Sequence, residues 1–134
     1  MPLSEQNRHD LWQAAREARS RAYAPYSGIR VGASLLSAGG SLYTGANVEN
    51  ASYGLSLCAE RAALARAVAA EGPALSVKAL AVVSDRPGPF APCGACRQVI
   101  FEWGPEALIL FQGDTGLKEV AIAELLPHAF RLPR

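Results

Sequence analysis

The chain has 134 residues, of which half are hydrophobic and 19% charged, a composition typical of a folded domain rather than a disordered segment. Its formal net charge is +1 and no basic run stands out, which argues against binding to a nucleic-acid backbone. Three cysteines cannot form a closed disulfide set, and neither a signal peptide nor a membrane-spanning run is recognisable. We therefore expect one domain over residues 1–134, a cytoplasmic setting and a small neutral substrate.

The first half of the chain predicts a helix, a hairpin and a second helix. Ser4 is a candidate N-cap for a helix to about residue 22, in which Leu11 and several alanines recur at helical spacing. Two strands follow, over residues 29–36 and 41–45, and the glycines between them predict a hairpin turn. A polar loop at residues 47–50 then leads to an alanine-rich helix over residues 57–70.

The second half predicts two buried strands separated by a helix. Residues 77–84 are almost continuously apolar, as in a strand covered on both faces, and residues 107–111 repeat that pattern. Between them we expect a helix from Cys93 to about Trp103, opened by Pro92 at its first position. Residues 112–116 predict a turn, and residues 122–126 a short helix. The order α-β-β-α-β-α-β predicts an α/β fold with a mixed sheet and helices on both faces.

All three cysteines lie in two short motifs, Cys58-Ala59-Glu60-Arg61 and Pro92-Cys93-Gly94-Ala95-Cys96. Three thiolates can bind zinc and leave a fourth tetrahedral position open, which is the arrangement of a catalytic zinc site. A C-x-E motif followed by P-C-x-x-C is also the pattern of nucleobase deaminases, in which the glutamate moves protons. The sequence therefore predicts a catalytic zinc centre.

The positions of these motifs on the predicted helices favour that chemistry. Both motifs fall at helix N-termini, where the free backbone N–H groups and the helix dipole favour thiolate over thiol. Arg61 lies one helical turn after Cys58, so its guanidinium can donate hydrogen bonds that offset the charge of the thiolates. Glu60 lies two residues from Cys58, where it need not bind the same ion and is the candidate proton carrier.

These motifs and their surroundings resemble the small form of cytidine deaminase, and the resemblance covers nearly the whole chain. It begins at Ala22-Tyr23-Ala24-Pro25-Tyr26-Ser27, continues through the block from Asn47 to Tyr53 and both cysteine motifs, and closes at Phe130. It implies a three-layer α/β/α fold with a mixed, roughly five-stranded sheet. It also implies zinc-dependent hydrolysis of cytidine and 2′-deoxycytidine to their uracil counterparts with release of ammonia, a reaction of pyrimidine salvage.

The resemblance also implies roles for individual residues. Cys58, Cys93 and Cys96 bind one zinc ion per chain, and Glu60 moves a proton from water to the base and then to the leaving amine. The resemblance assigns Asn47 and Glu49 to the ribose, and the backbone N–H of Ala59 to the base carbonyl. Ile29 would flank the base. In a homotetramer, the sites of neighbouring chains would be completed by Ala51, Tyr53 and Phe130.

One departure leaves the substrate open. Ile29 stands where the family usually has an aromatic residue, and isoleucine offers less stacking surface to a base. A deaminase of another cytosine-like nucleoside, such as blasticidin S, is therefore an alternative. A protein-interaction module with a structural zinc is a second, although structural sites normally have four protein ligands. A nucleic-acid deaminase is the third, and the near-neutral charge disfavours it.

Overall fold

The computed structural model describes residues 3–133 and contains one five-stranded sheet between two layers of helices. In chain order the elements are α1 (Glu5–Arg19), β1 (Val31–Ser37), β2 (Leu42–Ala46), α2 (Ala59–Glu71), β3 (Val77–Ser84), α3 (Gly94–Trp103), β4 (Leu108–Gly113), β5 (Gly116–Ala121) and α4 (Ile122–Leu125). The strand order is β2-β1-β3-β4-β5. Only β3 and β4 pair in parallel, so the predicted mixed sheet is confirmed.

The two faces of the sheet are covered by different helices. On one face, Leu11 and Ala15 of α1 pack against Leu36, Val83 and Leu110. On the other face, α2 and α3 pack their apolar residues against the opposite side chains of the same strands, namely Ala63, Leu64, Ala67 and Ile100 against Leu35, Leu80, Val82 and Ile109. Strands β1 and β3 are buried along almost their whole length because helices cover both faces of the sheet.

Two glycines allow the alanine-rich helices to approach the sheet closely. A Cβ atom at Gly32 would lie 2.0 Å from the carbonyl oxygen of Ala15, and one at Gly45 would lie 2.4 Å from the backbone nitrogen of Ala63. Real Cβ atoms do not approach backbone this closely, so larger residues would push α1 or α2 away from the sheet. The position of α2 matters because its first turn carries Glu60.

The strand β5 is missing from the predicted order of elements. Of its sequence, Gly116–Ala121, the first residue is the end of the predicted turn and the others belong to no predicted element. The strand pairs antiparallel with β4 at the edge of the sheet, with Leu117 exposed and Lys118 and Glu119 facing solvent. Charged, half-exposed edge strands lack the apolar run that identifies β3 and β4 in the sequence.

The bounds of two helices differ from the prediction in ways that affect the cysteines. Pro92 is not the first residue of α3, because Cys93 is the N-cap and the helix begins at Gly94. The Pro92 carbonyl oxygen instead accepts a hydrogen bond of 2.7 Å from Arg97 Nε. Helix α2 begins at Ala59 rather than Leu57, with Cys58 as its N-cap. The two N-cap cysteines thus place their thiols at the starts of both helices.

Candidate active site

The three thiols converge at the N-termini of α2 and α3. The Sγ atoms of Cys58, Cys93 and Cys96 all lie within 4.8 Å of one another. Cys58 and Cys93 are the N-caps of the two helices, and Cys96 lies in the first turn of α3, where its backbone N–H points to Cys93 Sγ at 3.5 Å. All three are free cysteines. Cys58 and Cys93 are 35 positions apart in the chain, and they belong to one group because the N-termini of α2 and α3 meet.

The donor set fits a zinc ion. Zinc binds thiolate sulfur at about 2.3 Å in tetrahedral geometry, which places neighbouring sulfurs about 3.8 Å apart, within the observed limit. Thiolates also select zinc over harder cations such as Mg²⁺. Within residues 3–133 no histidine or carboxylate joins this group, and both His9 and His128 are exposed elsewhere. Three protein ligands suit a catalytic site better than a structural one.

The electrostatics of the group favour thiolate at Cys58. Its hydrogen bond with Cys96 lowers the pKa of Cys58 to about 5, with a further contribution from Arg61. Arg61 Nη2 donates to Cys58 Sγ at 3.2 Å, and this bond raises the pKa of the guanidinium. The same shared bond and burial raise the pKa of the Cys96 thiol. A positive side chain thus lies where a metal with three thiolates would carry excess negative charge.

Glu60 lies in the first turn of α2, beside this group, and its side chain is almost completely buried, with 4% of the residue exposed. Burial raises the pKa of Glu60 to about 7, since the charged form loses its hydration. A carboxyl group with this pKa can both accept and donate a proton near neutral pH. The arrangement can therefore supply acid–base chemistry next to a metal.

A cavity of about 400 Å³ opens onto Cys58, Cys93 and Glu60, a size that suits a small organic molecule. Six of the residues predicted to form the site line it: Asn47, Glu49, Cys58, Ala59, Glu60 and Cys93. Sequence reasoning missed several other lining residues, including Val31, Leu57, Arg86 and Phe90. The position of Phe90 three residues before Cys93 is the one signal in the sequence that would have indicated it.

The polar residues of the cavity are held by the segment before β1. Asn47 Nδ2 donates to the Ile29 carbonyl oxygen at 3.0 Å, and Asn47 Oδ1 accepts from the Val31 N–H at 2.8 Å. Glu49 accepts from the backbone N–H groups of Tyr26 and Ser27 at 2.9 and 3.1 Å, and from the Ser27 hydroxyl. The bond from the Ser27 hydroxyl lowers the pKa of Glu49. Glu49 is thus a fixed, ionised acceptor at the cavity.

Six predicted site residues lie outside the lining of this cavity: Cys96 and Arg61, which belong to or contact the thiol group, and four others. Ile29 is half-buried and packs against the core on the α2 side of the sheet. Ala51 and Tyr53 are exposed, and the Tyr53 ring packs edge-on against Tyr26 with 5.8 Å between centroids. Phe130 is 66% exposed, and its carbonyl oxygen accepts a bond from Gln98. Within this chain these four do not join the metal group.

The comparison with protein families matches this site. Residues 5–112, which include both cysteine motifs, match the model described as the cytidine and deoxycytidylate deaminase zinc-binding region. The chain belongs to the cytidine and deoxycytidylate deaminase family. As a member of that family it is a zinc-dependent deaminase, and the group of three thiols lies inside the matched zinc-binding region.

Curated relatives and solved structures agree with this membership. The chain is 48% identical over 126 residues to a cytidine deaminase of Halalkalibacterium halodurans, covering 92% of this chain and 94% of that protein. A cytidine deaminase of Sporosarcina psychrophila is 48% identical over 120 residues, covering 87% of this chain and 85% of the relative. The crystal structure of cytidine deaminase from Burkholderia pseudomallei superposes with a TM-score of 0.83 at 46% identity, covering 96% of this chain and all of the other. The predicted three-layer fold is therefore confirmed.

No helix within residues 3–133 of this deaminase has the length and apolar character needed to cross a membrane.

Proposed function

We propose that this protein catalyses the hydrolytic deamination of cytidine and 2′-deoxycytidine, which yields uridine or 2′-deoxyuridine and ammonia. The observation that carries the proposal is the convergence of three thiols within 4.8 Å beside a buried glutamate on one cavity. Relatives at 48% identity that are named cytidine deaminases support it. The overall reaction consumes one water molecule, whose oxygen replaces the exocyclic amine of the base.

Cys58, Cys93 and Cys96 would hold one zinc ion per chain. When bound, zinc supplies a Lewis acid that makes a water molecule easier to deprotonate at neutral pH. Three thiolates leave a net negative charge around a divalent cation, and this excess would make water less acidic. The guanidinium of Arg61, 3.2 Å from Cys58 Sγ, offsets that charge by hydrogen bonding to the sulfur.

Glu60 is the proton carrier in this proposal. Its carboxylate takes a proton from the attacking water and delivers it to N3 of the base, so that C4 accepts the oxygen while the ring nitrogen becomes neutral. The carboxylate then accepts the second proton of the same oxygen and delivers it to the amine, which leaves as ammonia. The near-complete burial of Glu60 keeps bulk water away from these transfers.

Two residues at the other end of the cavity hold the ribose. Glu49 is held ionised by three hydrogen bonds and lines the cavity, so it can accept from sugar hydroxyls. Asn47 lines the cavity too, and its amide retains one N–H beyond the bond to Ile29. The backbone N–H of Ala59, at the start of α2, is the donor for the base carbonyl. Ile29, whose carbonyl oxygen accepts a bond from Asn47, is assigned to flank the base on the family resemblance alone.

The substrate site is completed by other copies of the chain in a cytoplasmic homotetramer. Supporting this, several large apolar side chains are widely exposed in one chain: Tyr53 at 75%, Leu55 at 72% and Phe130 at 66%. Tyr53 and Leu55 lie in one short segment, and contiguous exposed apolar groups mark interaction surfaces. Ala51, Tyr53 and Phe130 are the residues that would reach a neighbouring site.

A nucleoside panel tests the proposed function. Zinc-loaded protein is supplied with cytidine, 2′-deoxycytidine, blasticidin S and a single-stranded oligonucleotide containing cytosine, and ammonia is measured together with the cytosine absorbance. We expect stoichiometric ammonia from the first two substrates and much slower release from the others. Faster turnover of blasticidin S or of the oligonucleotide would overturn the substrate assignment, and no turnover of any of them would overturn the proposed catalysis.

A further inference from the structure

Phe90 is the one aromatic residue among the described residues that line the catalytic cavity. The other apolar walls of the cavity are aliphatic and come from Val31, Leu57, Pro89 and Ala91. Phe90 lies on the segment between β3 and α3, close in sequence to Cys93. The ring is therefore part of the wall that also carries a metal-binding thiol.

The backbone fixes the position of this ring. The Phe90 N–H donates to the Gln112 carbonyl oxygen at 2.8 Å, and the two residues form an isolated antiparallel bridge at the end of β4. The side chain is half-buried and packs against the core cluster that contains Ile100 and Phe111. Because backbone and ring are both anchored, the ring cannot swing out of the cavity without disrupting core contacts.

The segment before Phe90 limits its motion further. Residues 85–89 are exposed and include Pro87 and Pro89, whose rings restrict the backbone φ angle. Asp85 at its start is tied down by Arg30 Nε at 2.8 Å and by Arg19 Nε at 3.4 Å. The segment thus has a fixed start, restricted residues along its length and a hydrogen-bonded end at Phe90. A surface held in this way binds a flat ligand at a lower entropic cost.

We propose that Phe90 is a specificity-determining residue that provides the aromatic surface against which the pyrimidine ring of the substrate packs. This inference rests on the proposed function, since it places a cytosine base in the cavity. A neutral, planar ring gains offset or edge-to-face contact with a phenyl group beyond simple area burial. Phe90 carries no group that exchanges protons, so its contribution falls on binding of the nucleoside rather than on the chemical step.

The test compares Phe90→Leu and Phe90→Tyr with the wild type. Leucine keeps most of the apolar volume and removes the ring, whereas tyrosine keeps the ring. We expect Phe90→Leu to raise the KM for cytidine about three- to tenfold with a much smaller change in kcat, and Phe90→Tyr to stay within about twofold of the wild type. Binding of uridine, measured by calorimetry on zinc-loaded protein, should weaken in parallel with KM in Phe90→Leu.

A matched control is Phe101→Leu on α3. Phe101 is also half-buried and packs against the same core cluster, but it does not line the cavity. Its substitution should lower the melting temperature without changing the KM or the uridine affinity. If Phe90→Leu fails to fold, Phe90→Met provides the ring deletion with a flexible side chain that adapts to gaps.

The outcomes separate this inference from the proposed function. Unchanged KM and uridine affinity in Phe90→Leu, with normal turnover of cytidine by the wild type, would overturn the role of Phe90 alone. A fall in kcat with constant KM would overturn it as well. Wild-type protein that binds uridine but does not deaminate cytidine would overturn the proposed function. Even then, weaker binding of uridine by Phe90→Leu would support the packing of the pyrimidine ring against Phe90.

Discussion

The thiol group and the loop over residues 47–57 form two sides of one cavity, yet they are built in different ways. The thiols and Glu60 lie at the starts of two helices packed on the sheet, where Cys96 is fully buried and Glu60 nearly so. The loop is held at its ends, by paired backbone bonds between Val48 and Leu57, while its tip leaves Tyr53 and Leu55 exposed. The groups proposed to carry the chemistry therefore all come from one chain, whereas the proposed binding surface has an open side.

The largest effect is expected from a substitution of Glu60, on the buried side of the cavity. Glu60→Gln keeps the shape of the side chain and removes its ability to carry a proton, so kcat for cytidine should fall about 10²- to 10⁴-fold. Zinc content, measured by elemental analysis, should be unchanged because Glu60 is not a member of the thiol group.

Glu71→Gln is the matched control for this substitution. Glu71 is the last residue of α2, distant from the thiols, and its carboxylate accepts a bond from the Tyr43 hydroxyl, which a glutamine oxygen can also accept. Its activity should match the wild type. A Glu60→Gln enzyme that retains normal turnover would show that another group moves the protons.

The walls of the cavity also differ in how far the sequence predicts them. The thiols, Glu60 and Arg61 are predicted from two short motifs at helix starts, and the structure brings the thiols together with Arg61 bonded to Cys58. The Phe90 wall depends instead on a bridge to Gln112, which comes from a distant strand and leaves no periodic signal. The strand β5 was missed for a similar reason, since its charged residues lie at an edge. Contacts set by long-range pairing are thus the part that local patterns do not reveal.

The next largest effect is expected from a substitution of Glu49, at the polar end of the loop over residues 47–57. Glu49→Gln removes the ionised acceptor for the ribose and should raise the KM for cytidine about ten- to a hundredfold, with a smaller change in kcat. Because Glu49 also holds residues 26 and 27, the effect on folding is checked by the melting temperature. An unchanged KM would remove Glu49 from the substrate site.

A smaller effect is expected at the open tip of the loop. Replacing Tyr53 and Leu55 together with serine removes exposed apolar surface, so light scattering should show a smaller assembly, and the KM should rise about fivefold if neighbours complete the site. Leu117→Ser, at a residue 51% exposed on β5, is the control and should leave the mass unchanged. An unchanged assembly in the double variant would place the interface elsewhere.

The smallest effect is a shift in pH dependence. The Ser27 hydroxyl lowers the pKa of Glu49, so the ionised carboxylate and its favourable contacts persist as pH falls below the ordinary glutamate range. Ser27→Ala should raise that pKa, and substrate affinity should then be lost at a higher pH on the acid side. The measurement is the affinity of zinc-loaded protein for uridine against pH for both proteins, because Glu60, with a pKa of about 7, sets the acid limb of turnover. An affinity profile that does not move would show that Glu49 ionisation does not control binding.

The central claim is that three converging thiols hold one zinc ion that the deamination of cytidine requires. Metal-free protein, prepared with a chelator, is titrated with zinc while cytidine turnover and bound metal are measured in the same samples. We expect turnover to rise in proportion to bound zinc and to level off at one ion per chain, and Cys93→Ala to show neither tight binding nor turnover. Full turnover without zinc, or a plateau unrelated to one ion per chain, would contradict the claim.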